Sequence, residues 1–81
     1  MDTVTVNSSM VDVNAGHALR RERRERGIAI LGLATLAGCS PTTVVAIERY
    51  GYRPSSSVRE RISAALGVRP EAIWAPTAER R

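Results

Sequence analysis

The sequence predicts a single, compact all-α domain of five short helices. Its 81 residues can enclose one hydrophobic core but cannot support two domains. From residue 15 onward, apolar residues recur at the spacing of a helix face, and glycines or a serine–proline pair separate the periodic segments. These observations favour a helical domain at residues 14–76, with an N-terminal arm at residues 1–13 and a disordered tail at residues 77–81.

Residues 1–13 differ from the rest of the chain because they lack arginine and alternate valine with threonine or aspartate. Such alternation is typical of an extended strand. Two interpretations stay open for this arm. It is either a flexible terminal tail or a strand that docks, for instance onto a second subunit.

The first two predicted helices are bounded by residues with strong preferences for helix ends. Asn14 is a good N-cap for a helix over residues 15–26, and Gly27 is a natural residue to end it. Arginine and glutamate dominate this helix, so we expect few apolar contacts to hold it. A second helix is predicted over residues 29–37, and Gly38 can take the positive φ that a tight turn after it requires.

Three further helices are predicted from capping serines, prolines at first helical positions and a terminal glycine. Within them, Val44 and Ile47 form one inward stripe, and Val58, Ile62 and Leu66 form another. The predicted spans are residues 41–50 with Ser40 as the N-cap, a helix capped by Ser55 or Ser56 and ended by Gly67, and residues 70–75 between two prolines.

The charge of the chain favours a nucleic-acid partner. The formal net charge is +4 and the sequence pI is about 10.6. All 12 basic side chains are arginines, which suit bidentate contacts to phosphate and guanine. An arginine-rich coding bias is the alternative source of this composition.

The composition also disfavours several classes of function. One cysteine, Cys39, allows no intrachain disulfide and favours a reducing compartment; we expect it to be buried and inert. No apolar run approaches 18 residues and no signal peptide is recognisable, so we expect a cytoplasmic protein without membrane contact. The chain offers no metal-ligand cluster, Ser/His/Asp set or phosphate-binding glycine loop, so we expect neither an enzyme nor a cofactor.

Two short helices joined by a tight glycine turn, the second beginning at a serine–proline pair, have the outline of a helix-turn-helix. Over residues 19–74 the chain resembles the small DNA-binding domain shared by phage repressors and Cro proteins, the Cro/C1 or XRE type. No insertion interrupts the two motif helices. The residues that carry the resemblance are Gly27, Leu33, Ala34, Gly38, Cys39, Ser40, Val44, Ile47, Glu48, the loop 51–54 and the segment 65–68.

The chain departs from the family pattern at three positions. The second helix of the family usually begins with a polar cap followed by a glutamine that contacts a phosphate. Here these positions are Ala29 and Ile30, so we expect one phosphate contact to be absent. Glu22 stands where leucine is common, which thins the core around the first helix.

By this resemblance, the third helix enters the major groove of DNA and reads bases from its exposed face. Thr42, Val45, Ala46 and Arg49 are spaced i, i+3, i+4 and i+7 on that face. Arg49 can donate two hydrogen bonds to guanine, and the apolar pair can contact thymine methyl groups. The alternatives are a phosphate contact for Arg49, and a core or partner-binding role for Val45 and Ala46. The predicted base-reading residues are Ser40, Pro41, Thr42, Val45, Ala46 and Arg49.

Arg23 and Glu48 match family positions that commonly form an ion pair, which would orient the third helix. The alternative is two unrelated surface charges. The other arginines of the first helix are expected to form a solvated face. Contacts to DNA phosphates are predicted from Arg23, Arg53, Ser55, Ser56 and Ser57.

These features lead to one main functional hypothesis. We expect a sequence-specific transcriptional regulator, a repressor, that binds double-stranded DNA as a homodimer on a pseudo-palindromic operator. The alternative is an antitoxin-like module that mainly binds a protein partner, with DNA binding secondary.

Overall fold

The computed structural model describes residues 11–75, and within this range it contains four α-helices and one 3-10 helix. They are α1 (Val13–Glu25), α2 (Ile30–Ala37), α3 (Pro41–Tyr50), α4 (Ser56–Leu66) and the 3-10 helix Pro70–Ala72. The predicted all-α class is confirmed, although the fifth helix is a single 3-10 turn. Predictions for residues 1–10 of the arm and for the tail at residues 77–81 lie outside the described residues.

The start of α1 corrects the prediction that Asn14 is its N-cap. The helix begins at Val13, and the Asp12 carboxylate accepts the N–H of Ala15 at 3.0 Å. Asp12 is held from outside the helix as well, because its own N–H donates to the carbonyl of Gly51 at 2.6 Å. Tertiary contacts therefore select between two residues with similar capping preference.

The starts of α3 and α4 follow from local capping chemistry. Ser40 Oγ accepts the N–H of Thr43 at 3.2 Å, and Ser55 Oγ accepts the N–H of Val58 at 3.3 Å. Ser55 is therefore the cap of α4, which decides between the two predicted serines. Ala29 precedes α2 and makes no side-chain cap, so the first N–H groups of α2 stay available to another acceptor.

The core lies where the four helices meet. Leu19, Leu33, Val44, Ile47 and Ile62 are all fully buried. α1 packs against α3, and α2 packs against both α3 and α4. The 3-10 helix packs against α4, and Trp74, which follows it, is buried in the core.

Gly16 lies where α1 crosses α3. A Cβ atom at this position would collide with the carbonyl oxygen of Ile47 and would lie 3.1 Å from that of Glu48. Only a residue without a side chain permits this close approach of helix to backbone. The absence of a side chain therefore sets the distance between α1 and α3.

Within residues 11–75, no single helix has the length and apolar character needed to cross a membrane. α2 and α3 taken together reach that length and composition, but they are bent by 117° with respect to each other.

Candidate nucleic-acid interface

α2 and α3 form the bent helix pair at the centre of the candidate site. The 117° bend between them lies within the range of a helix-turn-helix. Gly38 makes the turn possible with a φ of 69°, as predicted. Ser40 then caps α3, and Pro41 occupies its first turn. The turn residues and the cap together determine where α3 begins and in which direction it projects.

The two sides of α3 are chemically distinct. Val44, Ile47 and Glu48 are buried, whereas Thr42 and Arg49 on the opposite side are exposed. The remaining residues of the predicted base-reading stripe, Val45 and Ala46, are half-buried, and Ser40 and Pro41 at the start of α3 are exposed. The structure thus places the six predicted base-reading residues along one accessible side of the helix and at its N-terminal end.

A buried ion pair fixes the side of α3 that faces the core. Arg23 Nε donates to Glu48 Oε2 at 2.7 Å, and Arg23 Nη2 donates to Glu48 Oε1 at 3.0 Å. The third nitrogen, Nη1, donates to the carbonyl of Ile28 at 2.8 Å. The side chain of Glu48 is 1% exposed and that of Arg23 is 10% exposed. The interpretation of these two residues as unrelated surface charges is therefore wrong.

This geometry also corrects the phosphate contact predicted for Arg23. All three guanidinium nitrogens are used inside the protein, and the side-chain hydrogen bond to Glu48 raises the pKa of Arg23. A second arginine, Arg20, is half-exposed, with Nε 3.7 Å from Glu48 Oε1. Arg23 consequently acts as a link between α1, α2 and α3, and not as a group free to meet DNA.

The loop between α3 and α4 carries the other predicted phosphate contacts. Arg53 is half-buried, and its Nη1 lies 3.3 Å from Asp12 Oδ2. Ser55, Ser56 and Ser57 are all exposed. Ser55 uses its hydroxyl as the cap of α4, and the other two lie in the first turn of that helix. Because the first N–H groups of a helix lack partners within it, this end of α4 presents donors suited to an anion.

Two residues near this loop, Arg59 and Tyr50, were not predicted as functional residues from the sequence. Arg59 donates from Nη1 to the carbonyl of Pro54 at 2.6 Å, and burial, followed by the positive charge of Arg53, lowers its pKa. Tyr50, the last residue of α3, is 70% exposed. Helical spacing gives no signal for Arg59, because its contact depends on the path of the loop. Tyr50 could have been noticed in the sequence, because it is an aromatic residue directly after Arg49, which is predicted to contact a base.

Other polar side chains lie outside the set of predicted base-reading residues. Glu22 and Arg26 of α1 form an i, i+4 ion pair at 2.7 Å. His17 is exposed on α1. Cys39 is half-buried, so the prediction of full burial is wrong, and its burial raises the pKa of the thiol. No group of three or more potential metal ligands occurs within residues 11–75.

Comparison with known proteins agrees with this geometry. The helix-turn-helix family matches residues 19–73. The immunity repressor protein of Bacillus phage phi105 is 34% identical over 61 residues, which are 75% of this chain and 42% of that protein. The chain therefore spans less than half the length of this relative.

Two solved structures show the same fold. The restriction-modification controller protein C.AhdI from Aeromonas hydrophila has a TM-score of 0.73 at 25% identity, over 83% of this chain and 98% of that chain. SinR from Bacillus subtilis, a master regulator of biofilm formation solved in complex with DNA, has a TM-score of 0.70 at 30% identity. That match covers 74% of this chain and 97% of the chain in that structure. SinR has also been solved in complex with the SinI protein.

The bent helix pair, its glycine turn and its serine–proline cap define a helix-turn-helix domain. The chain belongs to the helix-turn-helix family in its Cro/C1 (XRE) type, which confirms the resemblance found in the sequence.

Proposed function

We propose that the protein is a transcriptional repressor that binds double-stranded DNA sequence-specifically through α3. The observation that carries this proposal is the two-sided character of α3. Its inner side is fixed by the buried bidentate pair of Arg23 and Glu48, and its outer side presents Thr42 and Arg49 to solvent. A helix whose inner side is held rigidly can present the side chains of its outer side to base edges in a reproducible position.

Each residue of the outer side has a role that suits its chemistry. Arg49 donates two hydrogen bonds to O6 and N7 of a guanine. Thr42 donates to or accepts from a base edge, and Val45 and Ala46 contact thymine methyl groups. Ser40 and Pro41 lead the N-terminus of α3 into the major groove.

Backbone contacts come from the loop between α3 and α4. Arg53 provides a charged contact, although its pairing with Asp12 must loosen or be shared when a phosphate binds. Ser55, Ser56 and Ser57 place the N-terminus of α4 at a second phosphate, with the hydroxyls of Ser56 and Ser57 and the N–H groups of the first turn as donors. These contacts position the protein without reading the sequence.

A homodimer on a pseudo-palindromic operator is the form in which we expect the protein to act. One module of this size covers a limited stretch of DNA, and two half-sites multiply its selectivity. The phage phi105 relative is named an immunity repressor, which supports repression as the outcome of binding.

The test begins with selection of binding sites from a random duplex library, followed by affinity measurement with Arg49→Ala. We expect the selected site to be two-fold symmetric. We expect Arg49→Ala to lose ~1–3 kcal/mol of binding per half-site and to relax specificity at one base pair. Arg61→Ala, which removes an exposed arginine of α4, is the matched control and should retain base preference.

Equal losses in the two arginine variants, with no change in base preference, would mean that Arg49 contacts only phosphate. Absence of any selected DNA from folded protein would overturn the proposed function.

The second candidate function is a module that mainly binds a protein. It is favoured by the half-burial of Val45 and Ala46, which places apolar side chains on the outer side of α3, and by the solved complex of SinR with SinI. If this function dominates, Val45→Ser will abolish capture of a partner from the native host while Arg49→Ala leaves that capture intact.

A further inference from the structure

A cavity of about 280 Å³ lies between the first turns of α4 and the 3-10 helix Pro70–Ala72. The residues that line it come from three parts of the chain. Arg53 belongs to the loop before α4, Ser56 and Arg59 belong to α4 itself, and Trp74 follows the 3-10 helix. The cavity therefore exists only because the end of the described chain packs back onto α4.

The indole nitrogen of Trp74 is an orphaned donor in the residue that closes this cavity. Trp74 is 3% exposed, and its Nε1 is buried without a hydrogen-bond partner among residues 11–75. Such a donor is costly, and the N–H of a buried tryptophan usually finds an acceptor. An occupant of the cavity that accepts hydrogen bonds would satisfy this nitrogen.

The charges around the cavity favour an anion as that occupant. Arg53 and Arg59 are half-buried, whereas Glu60 and Glu71, which also line the cavity, are exposed and can turn toward water. Burial and the positive charge of Arg53 lower the pKa of Arg59, and together they outweigh the opposite effect of Glu60. An anion beside Arg59 would therefore offset both its burial and its repulsion by the second arginine.

The N-terminus of α4 adds further donors. Ser56 is the first residue of the helix, and the backbone N–H groups of the first turn have no acceptor within the helix. The cavity thus combines a serine hydroxyl, backbone N–H groups, guanidinium groups and an indole N–H from separate elements. A tetrahedral phosphate, which accepts hydrogen bonds in several directions, suits this set better than a planar carboxylate does.

We propose that this cavity binds a small phosphate-bearing molecule, either inorganic phosphate or a phosphomonoester. Its volume is just below the ~300–1,000 Å³ that is usual for small-molecule sites, so the ligand is a small one. A phosphate within a DNA strand cannot enter as far as a free one, because the rest of the strand stays outside. The buried position of Trp74 Nε1 consequently favours the free ligand.

The cavity shares two residues, Arg53 and Ser56, with the proposed contacts to the DNA backbone. A ligand held by these residues would compete with a DNA phosphate for the same donors. This consequence rests on the proposed function, and it makes the ligand an inhibitor of DNA binding. The binding of the ligand itself does not depend on DNA.

The test uses the one tryptophan of the chain, Trp74. Its indole N–H gives a single signal in proton–nitrogen correlation NMR of the full chain. Inorganic phosphate is titrated at constant ionic strength, balanced with potassium chloride. We expect the indole proton to move to higher chemical shift as its hydrogen bond forms, and to saturate with a Kd of ~1 mM or lower.

Two variants and a control examine the anion contacts. Arg59→Gln should raise the Kd for phosphate by ~10-fold or more. Because this variant also loses the hydrogen bond to the carbonyl of Pro54, Ser56→Asp is the second one: an acidic residue suits the start of a helix but repels phosphate. It should raise the Kd by a similar factor. Arg61→Gln, at an exposed arginine of α4 outside the cavity, makes the same change in net charge and should bind as the wild type does.

Three results would overturn the proposal. The first is an indole signal that phosphate leaves unchanged or that chloride moves equally, which would mean that solvent satisfies Trp74 Nε1. The second is equal weakening in the Arg61→Gln control. The third is an indole signal that a DNA duplex moves but phosphate does not, which would assign the cavity to the DNA backbone.

A mobility-shift assay on the selected duplex tests the competition separately. We expect phosphate to lower the affinity of the wild type for DNA more than chloride of equal ionic strength does. This additional loss should disappear in Arg59→Gln. Phosphate binding by a protein that selects no DNA would leave the cavity site standing and overturn the proposed function alone. Selected DNA with an unmoved indole signal would do the reverse.

Discussion

The Arg23–Glu48 pair illustrates how two charges can be tolerated inside a small domain. Both guanidinium nitrogens that face the carboxylate donate to it at 2.7 and 3.0 Å, and the third donates to a backbone carbonyl. Burial of either charge alone would be costly, and the fork geometry of arginine compensates both at once. The pair consequently determines which side of α3 faces the core.

Removal of one member should therefore destabilise the fold strongly. We expect Glu48→Ala to lower the free energy of unfolding by ~3–5 kcal/mol, because Arg23 is left buried without its partner. Chemical denaturation monitored by circular dichroism measures this loss. Glu60→Ala, at an exposed glutamate of α4, should change stability by less than ~0.5 kcal/mol.

A double variant distinguishes the pair from a simple packing effect. Arg23→Met combined with Glu48→Leu should recover most of the lost stability, since no buried charge remains. A double variant as unstable as Glu48→Ala alone would contradict this account of the pair.

The crossing of α1 and α3 depends on the missing side chain of Gly16. Glycine in a helix interior is unfavourable by ~1 kcal/mol relative to alanine, so the fold retains it at a cost. Here the gain is the close packing of α1 on the backbone of Ile47 and Glu48. That packing brings Arg23, two turns further along α1, to the carboxylate of Glu48.

The two helical glycines should respond in opposite directions to alanine. Gly16→Ala should destabilise the protein by ~2 kcal/mol or more, because the new methyl group meets backbone atoms that cannot move aside. Gly32→Ala in α2 should stabilise it by up to ~1 kcal/mol, because the nearest atom is a side-chain carbon of Ile28 at 3.5 Å. Melting temperatures of the two variants provide the comparison. Similar shifts of the melting temperature in both variants would show that helix propensity alone decides the effect of alanine.

At the scale of the whole molecule, the proposed homodimer presents two α3 helices to one duplex. Dimers of helix-turn-helix domains bind half-sites one helical turn, about 10–10.5 base pairs, or multiples of it apart from centre to centre.

The spacing of the half-sites should therefore matter as much as their sequence. Insertion of five base pairs between the half-sites turns them to opposite sides of the duplex. We expect the affinity to fall to that of a single half-site, measured by electrophoretic mobility shift. The same five base pairs placed outside the site are the control and should have no effect. Tolerance of the internal insertion would indicate a flexible or absent dimer contact.

Much of the helical framework could be predicted from the chain because local chemistry decides it. Ser40 starts α3 by capping its first turn, and the ring of Pro41 fixes a φ that suits a helix. Gly38 turns the chain before them by adopting a positive φ. The periodic apolar residues Val44 and Ile47 face the core as predicted. The residues proposed to read bases were located by the same spacing, and their roles on DNA stay predictions.

Other features depended on contacts between distant residues. Asn14 and Asp12 have similar capping preference, and the N–H of Asp12 bonded to Gly51 settles the choice. The last helix was predicted over residues 70–75 but is a 3-10 turn at Pro70–Ala72, because Ile73 and Trp74 turn into the core after it.

The sequence by itself determined an all-α helix-turn-helix domain, the residues that begin and end α3, and the face of α3 that is left outside the core. Only the tertiary structure decided that Arg23 donates its hydrogen bonds to Glu48 and Ile28, that Gly16 sets the distance from α1 to α3, and that Val11 pairs with Tyr52. The reason is physical. Caps, turns and helical periods act over three or four residues, whereas these contacts depend on how separate helices cross.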